Sequence, residues 1–342
     1  HCQIIFISGY SDKEYLKSAI SLKAVSYVEK PIDEQELLTA VTSAIQIIEK
    51  NELLHKQRKD IFSEKAAIAF TAPNIDQQYM EELDALYPDF LHFSHYRTLI
   101  CQLNYKDESE ENAQKAYEQL KSTLCENCRC FLFAQKKQNI FVIHLCDSTQ
   151  SRAGANHNEP NQLYVKLQHG LLGLAELFLA VGNPVIKPDQ LYQSYTNAVI
   201  CLKKLFFIGY NHICYYKEQD NDMGTSFRPD SLVFLSFAQA LTDGNCQETA
   251  AIATRLFHEM RKTIYKFETN SLKNVYYQLL TLLDSICRER GFTDIFPHES
   301  HFIWETIARK DTIFALQEYL TDTLALYWAA IANKKGTSLL VY

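Results

Sequence analysis

Several features that often reveal what a protein does are missing from this sequence of 342 residues. Every apolar run is shorter than the ~18 residues that a membrane-spanning helix needs. The nearest approach, Leu171–Ile186, is interrupted by Glu176, Gly182 and Pro184. No glycine-rich phosphate-binding loop is present, and no signal peptide is recognised. We therefore expect a cytoplasmic protein that neither spans a membrane nor carries a phosphate loop.

An excess of positive charge is also missing. The chain has 34 Lys and Arg against 41 Asp and Glu, which gives a formal net charge of −7 and argues against a dominant nucleic-acid surface. Its ten Cys are irregularly spaced, so they suit a reducing compartment better than a disulfide framework. The length allows two or three globular domains.

What the sequence does contain is an organised stretch near its start. An apolar strand, Ile4–Ile7, runs into Ser8, and a second strand, Ala24–Val28, runs into Lys30-Pro31. A helix that begins with a Ser11–Glu14 capping box is predicted between them. Strand, helix and strand in so few residues predict neighbouring parallel strands, whose carboxyl ends are where such sheets bind ligands.

This stretch resembles the second half of a response-regulator receiver domain. Ser8 stands where that family keeps a Thr or Ser, Tyr27 where it keeps a switch aromatic, and Lys30-Pro31 where it keeps a Lys-Pro, usually with a cis peptide bond. The resemblance implies that Ser8 and Lys30 grip a phospho-aspartate, which carries about two negative charges, while Tyr27 repacks inward. The alternative is a generic α/β edge with a solvated lysine.

The resemblance implies a partial flavodoxin-like parallel sheet over residues 1–48. The family's phospho-accepting Asp and its acidic Mg²⁺ pocket are expected before His1, so we expect this sequence to be a fragment. Asp12 and Asp33 are interpreted as helix caps. We therefore assign no catalytic residue, metal ligand or cofactor to this chain itself, and expect Mg²⁺ only at the phosphorylation site of the full-length parent.

A long helix is predicted from Ile32, with Asp33 as its cap and Glu36 at its third position. Its pattern continues through Leu53 into a polar run, which makes residues 49–62 a helical linker. Such a helix can pair with a second copy of the chain. A single amphipathic helix ending in a solvated linker is the open alternative.

Residues 63–218 read as a second α/β module. The predicted order of strands and helices is ferredoxin-like, with an extension. The predicted strands are Phe93–Leu103, Cys128–Ala134, Ile140–Leu145, Leu177–Val181 and His212–Tyr216. The predicted helices are Glu110–Leu124, Gln162–Glu176 and Asp189–Leu205. The module resembles the degenerate GGDEF-like domain of YesN-type, AraC-class response regulators. The matching features are a Gly182-x-x-Val185 strand end followed by Ser194-Tyr195 and Ala198 on a helix.

The hairpin of this module argues against catalysis. An active nucleotide cyclase of this fold needs carboxylates there to hold Mg²⁺ against a triphosphate. Here the predicted turn, Gln135–Asn139, contains Lys136 and Lys137 and no carboxylate. We expect no enzymatic activity; a small-molecule sensor pocket and a plain spacer remain open.

Residues 229–333 predict an all-helical bundle. The predicted helices are Ser231–Leu241, a helix capped by Asn245 and Glu248 that runs to about Tyr265, Asn270–Arg290, His301–Ala308 and Asp311–Asn333. The bundle resembles the segment that precedes two helix-turn-helix units in YesN-type regulators. Residues 334–342 form a tail without a recognition helix, so we expect the DNA-binding output to be missing here.

Two groups of Cys and His residues could ligate a metal, but we expect both to have structural roles. Cys125, Cys128 and Cys130 have metal-like spacing, but Cys128 and Cys130 share one face of a predicted strand, which favours buried reduced thiols. His298 and His301 lack a second ligand pair and favour a surface loop.

The expected function is that of a fragment of a DNA-binding response regulator in phosphorelay signalling and transcription regulation. Its expected partners are a sensor histidine kinase, promoter DNA through the missing output domain, and a second copy of the chain. The alternative is a ligand sensor or signalling scaffold that does not bind DNA.

Overall fold

A computed structural model of the chain describes residues 2–9, 17, 19–147, 158–218, 225–262, 268–292, 295–296 and 301–339. The Ser11–Glu14 capping box, Asp12 and His298 lie outside these residues. The chain forms two compact units, residues 1–66 and residues 67–342. Within the described ranges, each helix is either too short or too polar to cross a bilayer.

The first unit contains a two-stranded parallel sheet. Strands β1 (Ile5–Ser8) and β2 (Ser26–Glu29) pair in parallel, with Ile5 opposite Ser26 and Ser8 opposite Glu29. This confirms the predicted pairing, although the strands lie one or two residues later than expected. Lys30 follows β2 directly, as predicted.

One unbroken helix, α1, runs from Glu34 to Ala69. The Asp33 carboxylate accepts a hydrogen bond from the Gln35 amide at 2.8 Å, which confirms the predicted cap. At 1.5 Å per residue, its 36 residues make a rod about 54 Å long. The predicted linker at residues 49–62 is therefore part of the same helix as residues 34–48.

Only some of the apolar side chains of α1 are buried within the chain. Ala40 and Ala44 are buried, whereas the larger Leu38, Val41 and Ile45 are 68%, 39% and 49% exposed. In this part of the helix the small side chains are buried, and these three large ones, spaced by three and four residues, are on the surface. That spacing is the one that pairs helices in coiled coils.

Strand β3 (His95–Tyr105) is the centre of a five-stranded mixed sheet in the second unit. It pairs antiparallel with two neighbours and is followed outward by one further strand on each side, in the order β4-β5-β3-β6-β7. The outermost pair, β6 and β7, is parallel. The other strands are β4 (Phe131–Lys137), β5 (Ile140–Asp147), β6 (Ala175–Val181) and β7 (His212–Tyr215).

Helices cover both faces of this sheet. One core joins Leu99, Cys101 and Leu103 of β3 to α3 and α4, and the other joins Ile100 to α5. The helices before β7 are α2 (Gln77–Leu86), α3 (Glu110–Asn127), α4 (Asn158–Gly170), α5 (Leu191–Leu202) and the short α6 (Leu205–Ile208).

Three details of the sequence prediction were wrong here. Helix α4 ends at Gly170 rather than Glu176, because the chain turns through Gly173 at φ 89° and enters β6 at Ala175. The polar run predicted as a turn extends β4 to Lys137, so that only residues 138–139 turn. Helix α2 was not anticipated, although Asp76 caps it by accepting from the Gln78 amide.

The helical bundle is built around an apolar core that also contains Phe206 and Phe207 of α6. The predicted Asn245 cap is confirmed by a 3.1 Å bond from the Glu248 amide, and Gly291 follows the third helix at φ 76°. The last helix continues to Leu339, beyond its predicted end at Asn333. The bundle helices are α7 (Ser231–Asp243), α8 (Cys246–Lys262), α9 (Thr269–Glu289), α10 (His301–Arg309) and α11 (Ile313–Leu339).

A buried histidine on the sheet bonds Ala67 in the last turn of α1. His144 on β5 is fully buried; its Nδ1 lies 2.9 Å from the Thr98 hydroxyl and its Nε2 lies 2.9 Å from the Ala67 carbonyl oxygen. Because a carbonyl only accepts, Nε2 carries the proton and Nδ1 accepts from Thr98. Burial lowers the pKa of His144 to about 4, against a smaller opposing effect of the Ala67 carbonyl.

This histidine should make stability depend on pH. Its pKa is lower in the folded state than the ordinary value of 6.5, so the unfolded chain takes up a proton first as the pH falls. The stability present above pH 6.5 should decline by up to about 3 kcal/mol as the pH approaches 4. Urea unfolding across this range should show the decline in the wild type.

His144→Gln should reduce the slope of the unfolding free energy against pH in this range, because unfolding of the variant takes up about one proton fewer than unfolding of the wild type. His212→Gln, at an exposed position on β7, is the matched control and should keep the wild-type profile. An identical pH dependence in wild type and His144→Gln would contradict the assignment.

A close approach between Gly182 and α5 explains part of the motif noted above. The Gly182 amide donates to the Thr98 carbonyl at 2.9 Å, and the Thr98 amide donates to the Ser194 hydroxyl at 2.9 Å. A Cβ on Gly182 would lie 2.0 Å from the Ser194 carbonyl oxygen. Only glycine lets the buried Ser194 sit against this strand end.

Gly182→Ala should therefore destabilise the protein by about 3 kcal/mol or more, because a backbone atom cannot move aside as a side chain can. Gly170→Ala is the matched control: the atoms nearest to its added Cβ would be side-chain atoms of Gln119 and Thr123, not backbone. Chemical unfolding should place the control within about 1 kcal/mol of the wild type. Equal effects of the two substitutions would refute the steric explanation.

Candidate functional site

The predicted site residues Ser8 and Lys30 come together at the carboxyl end of the parallel sheet. The Lys30 amide donates to the Ser8 carbonyl at 2.9 Å, which extends the ladder one step past the last strand pair. The Lys30 side chain runs beside Gly9, where an added Cβ would lie 3.9 Å from its Cδ. Ser8 is half-buried and Lys30 is exposed. A hydroxyl and an ammonium group therefore lie on adjacent strand ends.

Tyr27 lies on the same face of the sheet as Ser8. In a parallel pair, residues in register share a face, and faces alternate along each strand. Tyr27 is in register with Phe6, two residues before Ser8, so the aromatic ring and the hydroxyl project to the same side. Both side chains also have contacts within the protein, and Tyr27 is half-buried.

Pro31 completes the predicted group. It is exposed, and the Lys30-Pro31 peptide bond is cis, as the resemblance implies. All four predicted residues thus lie in or directly after the two strands of the first unit.

Metal ligands are not assembled in the part of the chain that the structure describes: no three His, Cys, Asp or Glu side chains there come close enough to hold an ion. The described residues alone do not supply the set of oxygen ligands that Mg²⁺ needs. Cys125, Cys128 and Cys130 are free thiols, and Cys130 is buried. Of these three thiols, only that of Cys125 is classed as exposed.

The β4–β5 hairpin places Lys136 against an aromatic residue. Lys136 Nζ donates to the Tyr195 hydroxyl at 2.5 Å and lies 4.6 Å from the centre of that ring. Tyr195 belongs to the Ser194-Tyr195 motif on α5. The motif residues therefore hold the hairpin and the β6 end against α5.

A polar cluster joins the sheet to the helical bundle. The Asp311 carboxylate accepts from Gln102 Nε2 at 3.0 Å and from the Tyr210 hydroxyl at 2.8 Å. Burial, and then the Asp311 charge, raise the pKa of Tyr210. Cavities of about 490 and 610 Å³ lie beside this cluster, and both are lined in part by Asp311.

Sequence reasoning missed a third cavity, of about 300 Å³, at the opposite end of the sheet from the β4–β5 turn. Its lining includes Arg97 of β3, Arg129 before β4 and Lys166 of α4. These cations are far apart in the sequence and belong to no motif. No pattern in the sequence would have grouped them.

Comparison with known proteins gives this chain no relatives: it matches no protein-family model and no curated protein.

Proposed function

We propose that residues 2–48 form the phosphoryl-sensing half of a receiver domain. The observation that carries this proposal is the junction of Ser8 and Lys30 at the ends of two adjacent parallel strands. A hydroxyl donor and a lysine cation are the groups that would hold a phospho-aspartate. Its carboxylate would come from outside these residues, and Tyr27 would respond by repacking on the face that it shares with Ser8.

The flavodoxin-like assignment of this half and the ferredoxin-like assignment of the middle module belong to the same proposal. The order β6-β3-β5-β4, with antiparallel β3–β5 and β3–β6 pairs, supports the second assignment because it is the order of the split βαβ arrangement. Strand β7 is then the extension beyond β6. We propose that the module is not an enzyme, since its hairpin offers Lys136 and Lys137 where a cyclase needs carboxylates.

In this reading the chain is part of a cytoplasmic response regulator of the YesN type. A sensor histidine kinase would phosphorylate the receiver, and transcription would be regulated through an output domain that binds DNA. The exposed Leu38, Val41 and Ile45 of α1 support a homodimer.

The second candidate is a ligand sensor or signalling scaffold that does not bind DNA. The cavities of the second unit favour it, because their volumes fall within the range of small-molecule sites. The two candidate functions differ in whether the protein passes its signal on by binding DNA.

The receiver proposal is tested on the longer protein that includes the coding sequence adjoining these residues. Acetyl phosphate should label that protein and change its oligomeric state or its DNA affinity. Lys30→Ala and Ser8→Ala should weaken this response at least about tenfold, because each removes a charge-assisted contact to the phosphoryl group. Labelling and size-exclusion chromatography measure both steps.

Lys50→Ala, on an exposed position of α1, is the matched control and should respond as the wild type does. The 342-residue chain alone should not be labelled above a heat-denatured sample. Labelling of the chain alone, or a full response in Lys30→Ala, would defeat the proposal.

DNA binding separates the two candidates. Because the 342-residue chain has a net charge of −7, it should bind duplex DNA with a dissociation constant no lower than the ~10⁻⁴–10⁻⁶ M that is typical of non-specific contacts. The longer protein should bind selectively and with a steep salt dependence. Fluorescence anisotropy at two salt concentrations measures both. Weak binding by both proteins would favour the sensor or scaffold, and tight selective binding by the chain alone would place the output within these residues.

A further inference from the structure

The cation-lined cavity of the second unit lies where three elements meet. Arg97 comes from the start of β3, Arg129 from the connection into β4, and Lys166 from the second half of α4. Asn127 and Gln162 add amides, and Leu145, Leu163 and Pro160 form an apolar wall. The cavity is therefore a built recess with both polar and apolar sides.

The charge of its lining is of one sign among the described residues. Three of the ten described lining residues are cations and none is a carboxylate. The other two cavities differ in this respect, since each combines Asp or Glu with Lys or Arg. In a protein with a net charge of −7, a recess whose charged lining residues, among those described, are all cations concentrates positive potential locally.

The hydrogen-bond donors that remain available to a ligand lie at the rim of the cavity. Arg97 is 7% exposed and already has a partner within the protein, so it supplies charge at the floor. Lys166 Nζ donates to Asn127 Oδ1 at 2.5 Å, which uses one of the three donors of an ammonium group. The Arg129 guanidinium lies 6.0 Å from the centre of the Phe93 ring, a face contact that uses none of its five donors.

We propose that this cavity binds the phosphoryl group of a small phosphorylated molecule, held by Arg129 and Lys166 at the rim and by the charge of Arg97 at the floor. Three cations match a phosphoryl dianion better than the single charge of a carboxylate. Guanidinium and ammonium groups are the donors that proteins use for phosphoryl oxygens. The volume of about 300 Å³ suits a small ester rather than a macromolecule.

This site is separate from Ser8 and Lys30 and uses none of their residues. Binding there is compatible with either candidate function, as a second input to a regulator or as the input of a sensor. Its failure would leave the receiver proposal unchanged, because the two are tested by different variants and different readouts.

The experiment uses the whole chain and inorganic phosphate as the probe. At about pH 8, where the dianion prevails, millimolar phosphate should raise the unfolding midpoint by about 2–4 °C over chloride at matched ionic strength. Isothermal titration calorimetry should give a single site. Acetate at matched ionic strength should have no comparable effect.

The Arg129→Gln/Lys166→Gln double variant should bind phosphate at least about tenfold more weakly, through the loss of charge-assisted hydrogen bonds. Both positions are exposed, so the variant should fold. The Lys50→Gln/Lys137→Gln double variant changes the net charge equally, at exposed positions that do not line the cavity, and should bind as the wild type does.

Three outcomes would overturn the assignment. Equal shifts in phosphate and acetate would remove the preference for a phosphoryl group. Unchanged binding by the Arg129→Gln/Lys166→Gln variant would locate the anion elsewhere. No shift in phosphate would show that the cavity takes no such group.

Discussion

Strand β3 is the constraint on which the second unit depends. It pairs on both edges, and its residues from Tyr96 to Leu103 are buried. A strand enclosed in this way must satisfy every backbone group through its neighbours, because no water reaches it. Its alternating side chains then supply two different cores, with Leu99 toward α3 and α4 and Ile100 toward α5.

The polar residues of β3 fix its register more sharply than its apolar ones. The Thr98 hydroxyl bonds His144 Nδ1, and the Gln102 side chain bonds the Asp311 carboxylate. A slip of one residue would turn each of these side chains to the opposite face and leave buried donors unpaired. Apolar residues tolerate such shifts better, since many arrangements bury comparable area.

The sequence predicted the features that depend on neighbouring residues. Two apolar runs separated by a short predicted helix located the parallel pair, and Asp33 and Asn245 marked helix starts through their local chemistry. Features that depend on tertiary packing were not predicted. Asp311 was expected to start the last helix, but Thr312 caps it by accepting from the Ala315 amide, and Asp311 instead bonds the sheet. Arg97, Arg129 and Lys166 meet only because β3, β4 and α4 converge.

The short helix α6 has a practical consequence for dividing this protein. Phe206 and Phe207 precede β7 in the sequence, yet both are buried in the core of the bundle, which otherwise consists of residues from about 227 onward. A protein shortened after β7 would expose two aromatic rings to water, and a separate bundle would contain a void where they had been. The sheet module and the bundle therefore share a core, and neither is complete when it is expressed on its own.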